Sequence, residues 1–241
     1  MQYGLYESQF SLVICGWSNR RITAYAFDDI DFDSNSFEED LGAENSALRW
    51  DPIASEAIVD ANRPIWDPRL YFLTIFELRI ARVQKEWERV VHAISTSKQP
   101  VCSNHHFLKL QQEISYTFIF SQDLGVEAHR EENLKQLFNR TQRTLQLLRR
   151  LLGVLSKVIN AWERFNSHNG DIGYFAPDSL PDSARQPARR SLFEINQIFE
   201  ILKGLNRDLL HLQQDNERSA QAVRLCQTPV AHSFSRRSTH A

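Results

Sequence analysis

Asp29, Asp31 and Asp33 are the residues whose type and spacing come nearest to a chemical site. They belong to an acidic stretch at residues 28–40. Alternating carboxylates open a calcium-binding loop, and the last aspartate of the stretch falls at the twelfth loop position. Ser34 stands where such a loop has its sharp-turn glycine, and no predicted helix precedes it. The pattern therefore favours a solvated acidic turn, with a divalent-cation site at the three aspartates as the alternative.

Two other groups of residues could in principle do chemistry. Cys102, His105 and His106 offer three zinc ligands, but adjacent histidines point in different directions on a helix and no fourth ligand is suitably spaced. The two glycines at residues 170–173 lack the preceding strand and following helix that a phosphate-binding loop requires. We therefore predict no catalytic site and no enzyme.

The segments that would position these residues begin with a β-hairpin. Residues 10–15 and 22–27 are β-rich runs on either side of residues 16–20. This pattern predicts two antiparallel strands joined by a loop of five or six residues. A two-stranded sheet is marginally stable alone, so the hairpin must join other strands or lie on helices.

Two Trp-Asp-Pro motifs follow the hairpin. Aspartate as the N-cap with proline in the first helical position is a strong signal for the start of a helix. The motif at Asp51 predicts a short helix that ends near Ala61. The motif at Asp67 predicts a long helix over residues 68–94. One apolar stripe defines the buried face of that long helix: Phe72, Phe76, Ile80, Val83, Trp87, Val90 or Val91, and Ile94.

Three more helices are predicted, over residues 104–121, 131–166 and 189–225. The central one has apolar residues in alternating steps of three and four, which place them on one side of a helix. They are Leu134, Phe138, Thr141, Leu145, Leu148, Leu152, Leu155, Ile159 and Trp162. Residues 168–187 read as a loop. The last helix becomes polar after Leu212, so its final turns are predicted to lack an apolar partner within the chain.

Composition and charge bound the fold and exclude some function classes. We predict a mainly α (α+β) protein of long antiparallel helices with a small N-terminal β-hairpin region. Its domains are residues 1–65 (acidic), 66–225 (helical) and 226–241 (a disordered tail).

Residues 1–65 carry a net charge of −8 and the remainder +6. Basic residues are interleaved with acids on amphipathic helices, which argues against nucleic-acid binding. Three widely spaced cysteines, and no signal peptide or membrane span, indicate a cytoplasmic protein.

Three stretches together carry a resemblance to a known family. They are residues 9–16 with 24–29, residues 60–69 followed by Tyr71, Phe72, Leu73, Arg79, Glu86 and Trp87, and residues 170–175. They resemble the cytoplasmic part of a fungal family of CorA-like proteins, related to magnesium and zinc transporters. The resemblance covers roughly residues 5–220. It implies a cytosolic helical domain, membrane-associated in family members, whose last long helix leads toward the membrane.

The chain departs from that family where the pore would be. Its only methionine is Met1, so the Gly-Met-Asn tripeptide of the pore mouth is absent, and no membrane span follows residue 225. We expect a domain that does not transport ions as written, with a membrane role only if a C-terminal pore segment is missing. The resemblance implies oligomerisation and Mg²⁺ sensing, for which Asp29, Asp31 and Asp33 are the candidates. The alternative is a soluble scaffold that binds a helical partner through its C-terminal amphipathic helix.

Overall fold

A computed structural model describes residues 9–18, 21–28, 50–51, 53–54, 59–97 and 124–227. This part of the chain forms two strands, three long helices and two short 3₁₀ helices. In order they are β1 (Phe10–Ser18), β2 (Arg21–Asp28), α1 (Pro68–Ser97), α2 (Leu124–Phe165), the 3₁₀ helices Asp171–Phe175 and Pro177–Ser179, and α3 (Asp182–Gln227). The chain is mainly helical with a small N-terminal hairpin, which confirms the predicted fold class.

Several predicted features lie outside the described residues. They are the acidic stretch with Asp29, Asp31 and Asp33, the helix over residues 104–121, the group Cys102, His105 and His106, and residues 228–241 of the tail predicted over 226–241. These features stay predictions. The first two residues of that predicted tail belong to α3 instead.

The hairpin is confirmed, but its predicted loop is too long. β1 and β2 pair antiparallel, with Leu12 opposite Ala26 and Ile14 opposite Ala24. The strands extend to Ser18 and from Arg21, so two residues separate them instead of five or six. Strand pairing continues beyond Gly16, with a shift of register between Gly16 and Ser18. Such an irregularity lets strands continue across a glycine, which is why that residue did not end β1.

The two Trp-Asp-Pro motifs have different structures. Asp67 caps α1, which begins at Pro68 as predicted and runs three residues beyond the predicted end. The helix predicted to run from the first motif to Ala61 is wrong at its described end. Trp50 forms an isolated antiparallel bridge with Asp60, and the backbone N–H of Asp51 donates to the carbonyl of Val59 at 2.8 Å. The chain therefore turns back on itself between the two motifs.

α2 and α3 both start earlier than predicted. α2 begins at Leu124, seven residues before the predicted start. α3 begins at Asp182 within the predicted loop and contains Pro187. Proline cannot donate to the carbonyl four residues back, but only one bond is lost near the helix start. Ala184 and Ala188 on either side of it are buried, and their packing offsets this loss.

The chain divides into two compact units, each made of two separate stretches. The first unit comprises Met1–Lys85 and Trp162–Glu200, and the second comprises Glu86–Ala161 and Ile201–Ala241. In the second unit α2 and α3 run antiparallel, because Arg149 bonds Glu217 while the more N-terminal Phe138 lies under the more C-terminal Arg224. The core of this unit includes Leu145, Leu148, Leu155, Ile159, Leu202 and Leu209. The first four belong to the stripe predicted for the central helix, and their burial confirms it at these positions.

The final turns of α3 differ from the prediction. Asn216, Ala220 and Val223 are buried, although the sequence around them is polar. They continue the spacing of three and four residues set by Leu202 and Leu209, so the same helix face stays covered to residue 223. The prediction that these turns lack a partner within the chain is therefore wrong.

Within the described residues, no helix combines the length and apolar character needed to cross a membrane.

Candidate interaction site around the first long helix

The start of α1 holds a loop that is distant in sequence. Oδ1 of Asp67 accepts hydrogen bonds from the backbone N–H groups of Arg69 and Leu70 at 2.9 and 3.2 Å, which is N-cap geometry. Arg69 then donates from Nη1 to the hydroxyl of Ser179 and from Nη2 to its carbonyl, both at 3.1 Å. Its guanidinium also lies 5.6 Å from the ring centre of Tyr174. Arg69 thus joins the cap of α1 to the segment of 3₁₀ helices.

Asp67 keeps one carboxylate oxygen outside this hydrogen-bond network. Oδ2 is buried, lies 3.5 Å from Nη2 of Arg69 and has no hydrogen-bond partner among the described residues. A carboxylate oxygen beside a guanidinium is stabilised by its charge even where the hydrogen-bond geometry is poor. Asp67 and Arg69 therefore act as a positioned ion pair at the base of α1.

One turn further along, Tyr71 fixes the segment that precedes α1. Its hydroxyl donates a 2.8 Å hydrogen bond to Oδ2 of Asp51, whose Oδ1 accepts from the backbone N–H of Ile53. Burial raises the pKa of the Tyr71 hydroxyl well above its ordinary value, and the hydrogen bond to Asp51 and the charge of that carboxylate raise it further. Tyr71 therefore stays protonated and remains a donor at neutral pH.

Arg79, two turns beyond Tyr71, contacts both the hairpin and the same segment. Its guanidinium lies 4.2 Å from the ring centre of Phe10, and Nη2 donates to the carbonyl of Ile53 at 2.9 Å. Tyr71, Ile75 and Ala54 form the core beneath the hairpin, with Phe10, Leu12, Ile14 and Ala24 packed on it. One face of α1 thus carries the hairpin and the described residues Ile53 and Ala54.

The neighbouring face of α1 closes a ring of five aromatic side chains. Neighbouring rings lie 5.1–5.9 Å apart, in the order Phe72, Phe76, Trp162, Phe165, Phe175 and back to Phe72. Phe199 of α3 stacks on Trp162 at 4.7 Å, with the two planes within 5°. Offset and tilted aromatic pairs at these distances stabilise a core beyond their buried area. The cluster joins α1, the end of α2, the first 3₁₀ helix and the start of α3.

Gly170 has a backbone role that sequence reasoning missed. A Cβ at this position would collide with the carbonyl oxygens of Arg164 and Phe165 at the end of α2. Its N–H donates to the carbonyl of Ser167 at 2.9 Å, which turns the chain from α2 into the 3₁₀ helix. The glycine therefore places Tyr174 and Phe175 against α1. Its position a few residues after a long helix was the available signal.

The structure brings together the three stretches on which the family resemblance rests. Strand β1 meets Arg79, and the loop after Gly170 meets Arg69 and Phe72. The Asp51–Tyr71 and Arg79–Ile53 contacts could not have been read from the sequence, because no local pattern links residues 20 or more positions apart. In the described part of the chain, no group of three or more His, Cys, Asp or Glu residues is arranged to hold a metal ion.

Chemically, this site is suited to hold segments together. Its charged and hydroxyl groups form a helix cap, an arginine clamp on a turn and a tyrosine–carboxylate bond, all within one unit. A comparison with protein-family models, curated proteins and solved structures found no significant match to this chain.

Proposed function

We propose that the chain is a non-enzymatic cytosolic domain of the kind found in CorA-like metal-ion transporters, and that it acts by self-association. The observation that carries this proposal is the meeting on α1 of the three stretches that resemble the family. Phe10 lies against Arg79, while Tyr174 and Ser179 lie against Arg69. Segments that occur together in a family because they pack together are expected to meet in this way.

A non-enzymatic role is supported by what the polar groups on α1 do. Asp67 caps the helix, Arg69 clamps Ser179 and Tyr71 bonds Asp51. The first bond fixes the start of α1, and the other two each hold two segments of the first unit together. A domain of this kind acts by binding at its surface and not by catalysis. Asp29, Asp31 and Asp33 are the carboxylates that we propose as the Mg²⁺-sensing site.

A magnesium titration tests the sensing step. We expect Mg²⁺ to raise the thermal midpoint or the sedimentation coefficient at constant ionic strength. Replacing Asp29, Asp31 and Asp33 by Asn should remove the response. A matched variant in which the exposed residues Asp171 and Asp208 become Asn should keep it. A wild-type protein that does not respond to Mg²⁺ would exclude the sensing role.

Fractionation of cells tests the link to a transporter. An antibody to residues 68–94 would be used on membrane and soluble fractions of native cells. A membrane-bound band well above 28.1 kDa supports the proposal, because a pore would then be part of the natural protein. A soluble band near 28.1 kDa favours the second candidate below.

The second candidate is a soluble protein that binds a helical partner through α3. The observation that favours it is the exposure of Ile201 and Leu210 on α3, although Leu202 and Leu209 of the same helix are buried within the chain. A partner would therefore contact the outer side of α3. Leu210→Glu should abolish metal-independent association, whereas Val154→Glu on α2, which is exposed to a similar degree, should not. Unchanged association of the Leu210 variant would rule this candidate out.

A further inference from the structure

The hairpin has two apolar faces, and the described structure covers one of them. The inward residues Phe10, Leu12, Ile14 and Ala24 pack on the core that contains Tyr71 and Ile75. Side chains alternate along a strand, so the intervening residues face away from that core. In the observed register, Ser11 is opposite Phe27, Val13 is opposite Tyr25 and Cys15 is opposite Thr23.

The outer face has the composition of an interface. All six of its residues are exposed, with Val13 50%, Tyr25 52% and Phe27 65% accessible. Antiparallel sheets that meet water on one side normally present polar residues there. Here none of the six carries a charge, although charged residues make up 24% of the chain. Depletion of charge and enrichment in tyrosine and phenylalanine mark the buried centre of protein interfaces.

We propose that the outer face of the hairpin docks against the same face of a second copy of this chain. An uncharged face meets itself without burying an unpaired charge, whereas a strongly charged partner would lose hydration there without gaining a counter-ion. Two such faces would stack as a pair of sheets with interleaved side chains. The inference rests on the self-association in the proposed function and identifies the surface that produces it.

The size of the face sets the strength of the association. With aromatic side chains of 150–250 Å², the exposed fractions leave about 300 Å² of apolar surface on each copy, or about 600 Å² when two copies meet. Stable complexes bury roughly 1,200 Å² or more in total. The expected dimer is therefore weak and forms at high local concentration.

Analytical ultracentrifugation of the full chain tests the proposal, from about 1 μM to about 1 mM, with and without Mg²⁺. The key variant is Phe27→Lys, and the matched control is Phe193→Lys, since Phe193 on α3 is 60% exposed. We expect the wild type and the control to dimerise alike, and Phe27→Lys to weaken association at least tenfold. Circular dichroism would confirm that both variants keep the helical fold.

Each other outcome overturns the proposal. A wild type that stays monomeric to the highest concentration means that something other than a second copy covers the face. Association that survives Phe27→Lys, or that Phe193→Lys abolishes, places the contact elsewhere. Association that persists at another surface overturns this inference but leaves the self-association of the proposed function intact. A wild type that stays monomeric with and without Mg²⁺ overturns both, and a membrane-bound band above 28.1 kDa would then support only the link to a transporter.

Discussion

The hydroxyl of Tyr71 donates a hydrogen bond of 2.8 Å to a carboxylate oxygen of Asp51, twenty residues earlier in the chain. Tyr71 is buried on α1, and Asp51 belongs to the segment that turns back before that helix. The bond therefore fastens a loop to the helix on which the first unit is built. Its dependence on one proton gives the protein a pH-sensitive contact.

Stability should fall at alkaline pH through Tyr71. Its pKa in the folded state lies above the ordinary value of 10.0, so the folded chain keeps a proton that the unfolded chain releases as the pH rises past 10. The free energy of unfolding from urea titrations at about pH 8 and about pH 11 should show this loss. In Tyr71→Phe the stability at pH 8 should drop by about 1–2 kcal/mol, and the alkaline loss should be smaller. Equal alkaline losses in both proteins would contradict the assignment.

The cap of α1 should depend on the oxygen of Asp67 more than on its charge. Asp67→Ala removes the acceptor for two backbone N–H groups and should cost about 1 kcal/mol or somewhat more. Asp67→Asn keeps an oxygen in the capping position and should cost less in the same denaturant titration. Equal losses would show that the ion pair with Arg69, and not the cap, stabilises the helix start.

The two-point hydrogen bonding of the Arg69 guanidinium to Ser179 should order the 3₁₀ segment more than the positive charge of Arg69 does. Arg69→Lys keeps the positive charge but cannot bond the hydroxyl and the carbonyl of Ser179 together. We expect faster amide hydrogen exchange across residues 171–180 in this variant. Arg63→Lys, at an exposed position, serves as the control and should leave exchange unchanged. Wild-type exchange in Arg69→Lys would mean that the aromatic contacts alone hold the segment.

The aromatic cluster should be the most sensitive part of the first unit. Trp162→Ala removes the side chain that contacts Phe76, Phe165 and Phe199, and should cost roughly 3–5 kcal/mol in the free energy of unfolding. Trp162→Phe should recover much of that loss. Trp66→Ala is the control, because Trp66 is 63% exposed and its removal should change stability by less than about 0.5 kcal/mol. A small effect at Trp162 would show that the core collapses around the gap.

Sequence patterns predicted the helices because local spacing and local caps determine them. Leu145, Leu148, Leu155 and Ile159 are buried as their spacing indicated, and Asp67 caps the helix that its motif predicted. The hairpin followed from two runs of β-forming residues. These patterns are local in the sequence, so the structures that they predict do not depend on which distant segments pack against them.

Contacts between distant segments could not be predicted in the same way. The predicted stripe of α1 contains Phe72 and Phe76 but omits Tyr71, Leu73 and Ile75, which are also buried. Tyr71 and Ile75 are covered by the hairpin, a contact that no local pattern indicates. Asn216 and Ala220 are buried by continuing a spacing pattern, although their composition suggested an exposed face. Pro187 lies inside α3 since buried neighbours offset its missing hydrogen bond. Each outcome depends on what packs against the residue.

The interleaving of the two units along the chain has a consequence for synthesis on the ribosome. The first unit needs Trp162–Glu200 to complete what Met1–Lys85 begins, and the second unit is interrupted in the same way. At roughly 5–20 residues per second, the early segment waits on the order of ten seconds for its counterpart. Phe72 and Phe76 lack their later partners Phe175, Trp162 and Phe199 during that interval. The nascent chain is therefore a natural client for chaperones that bind exposed apolar helices.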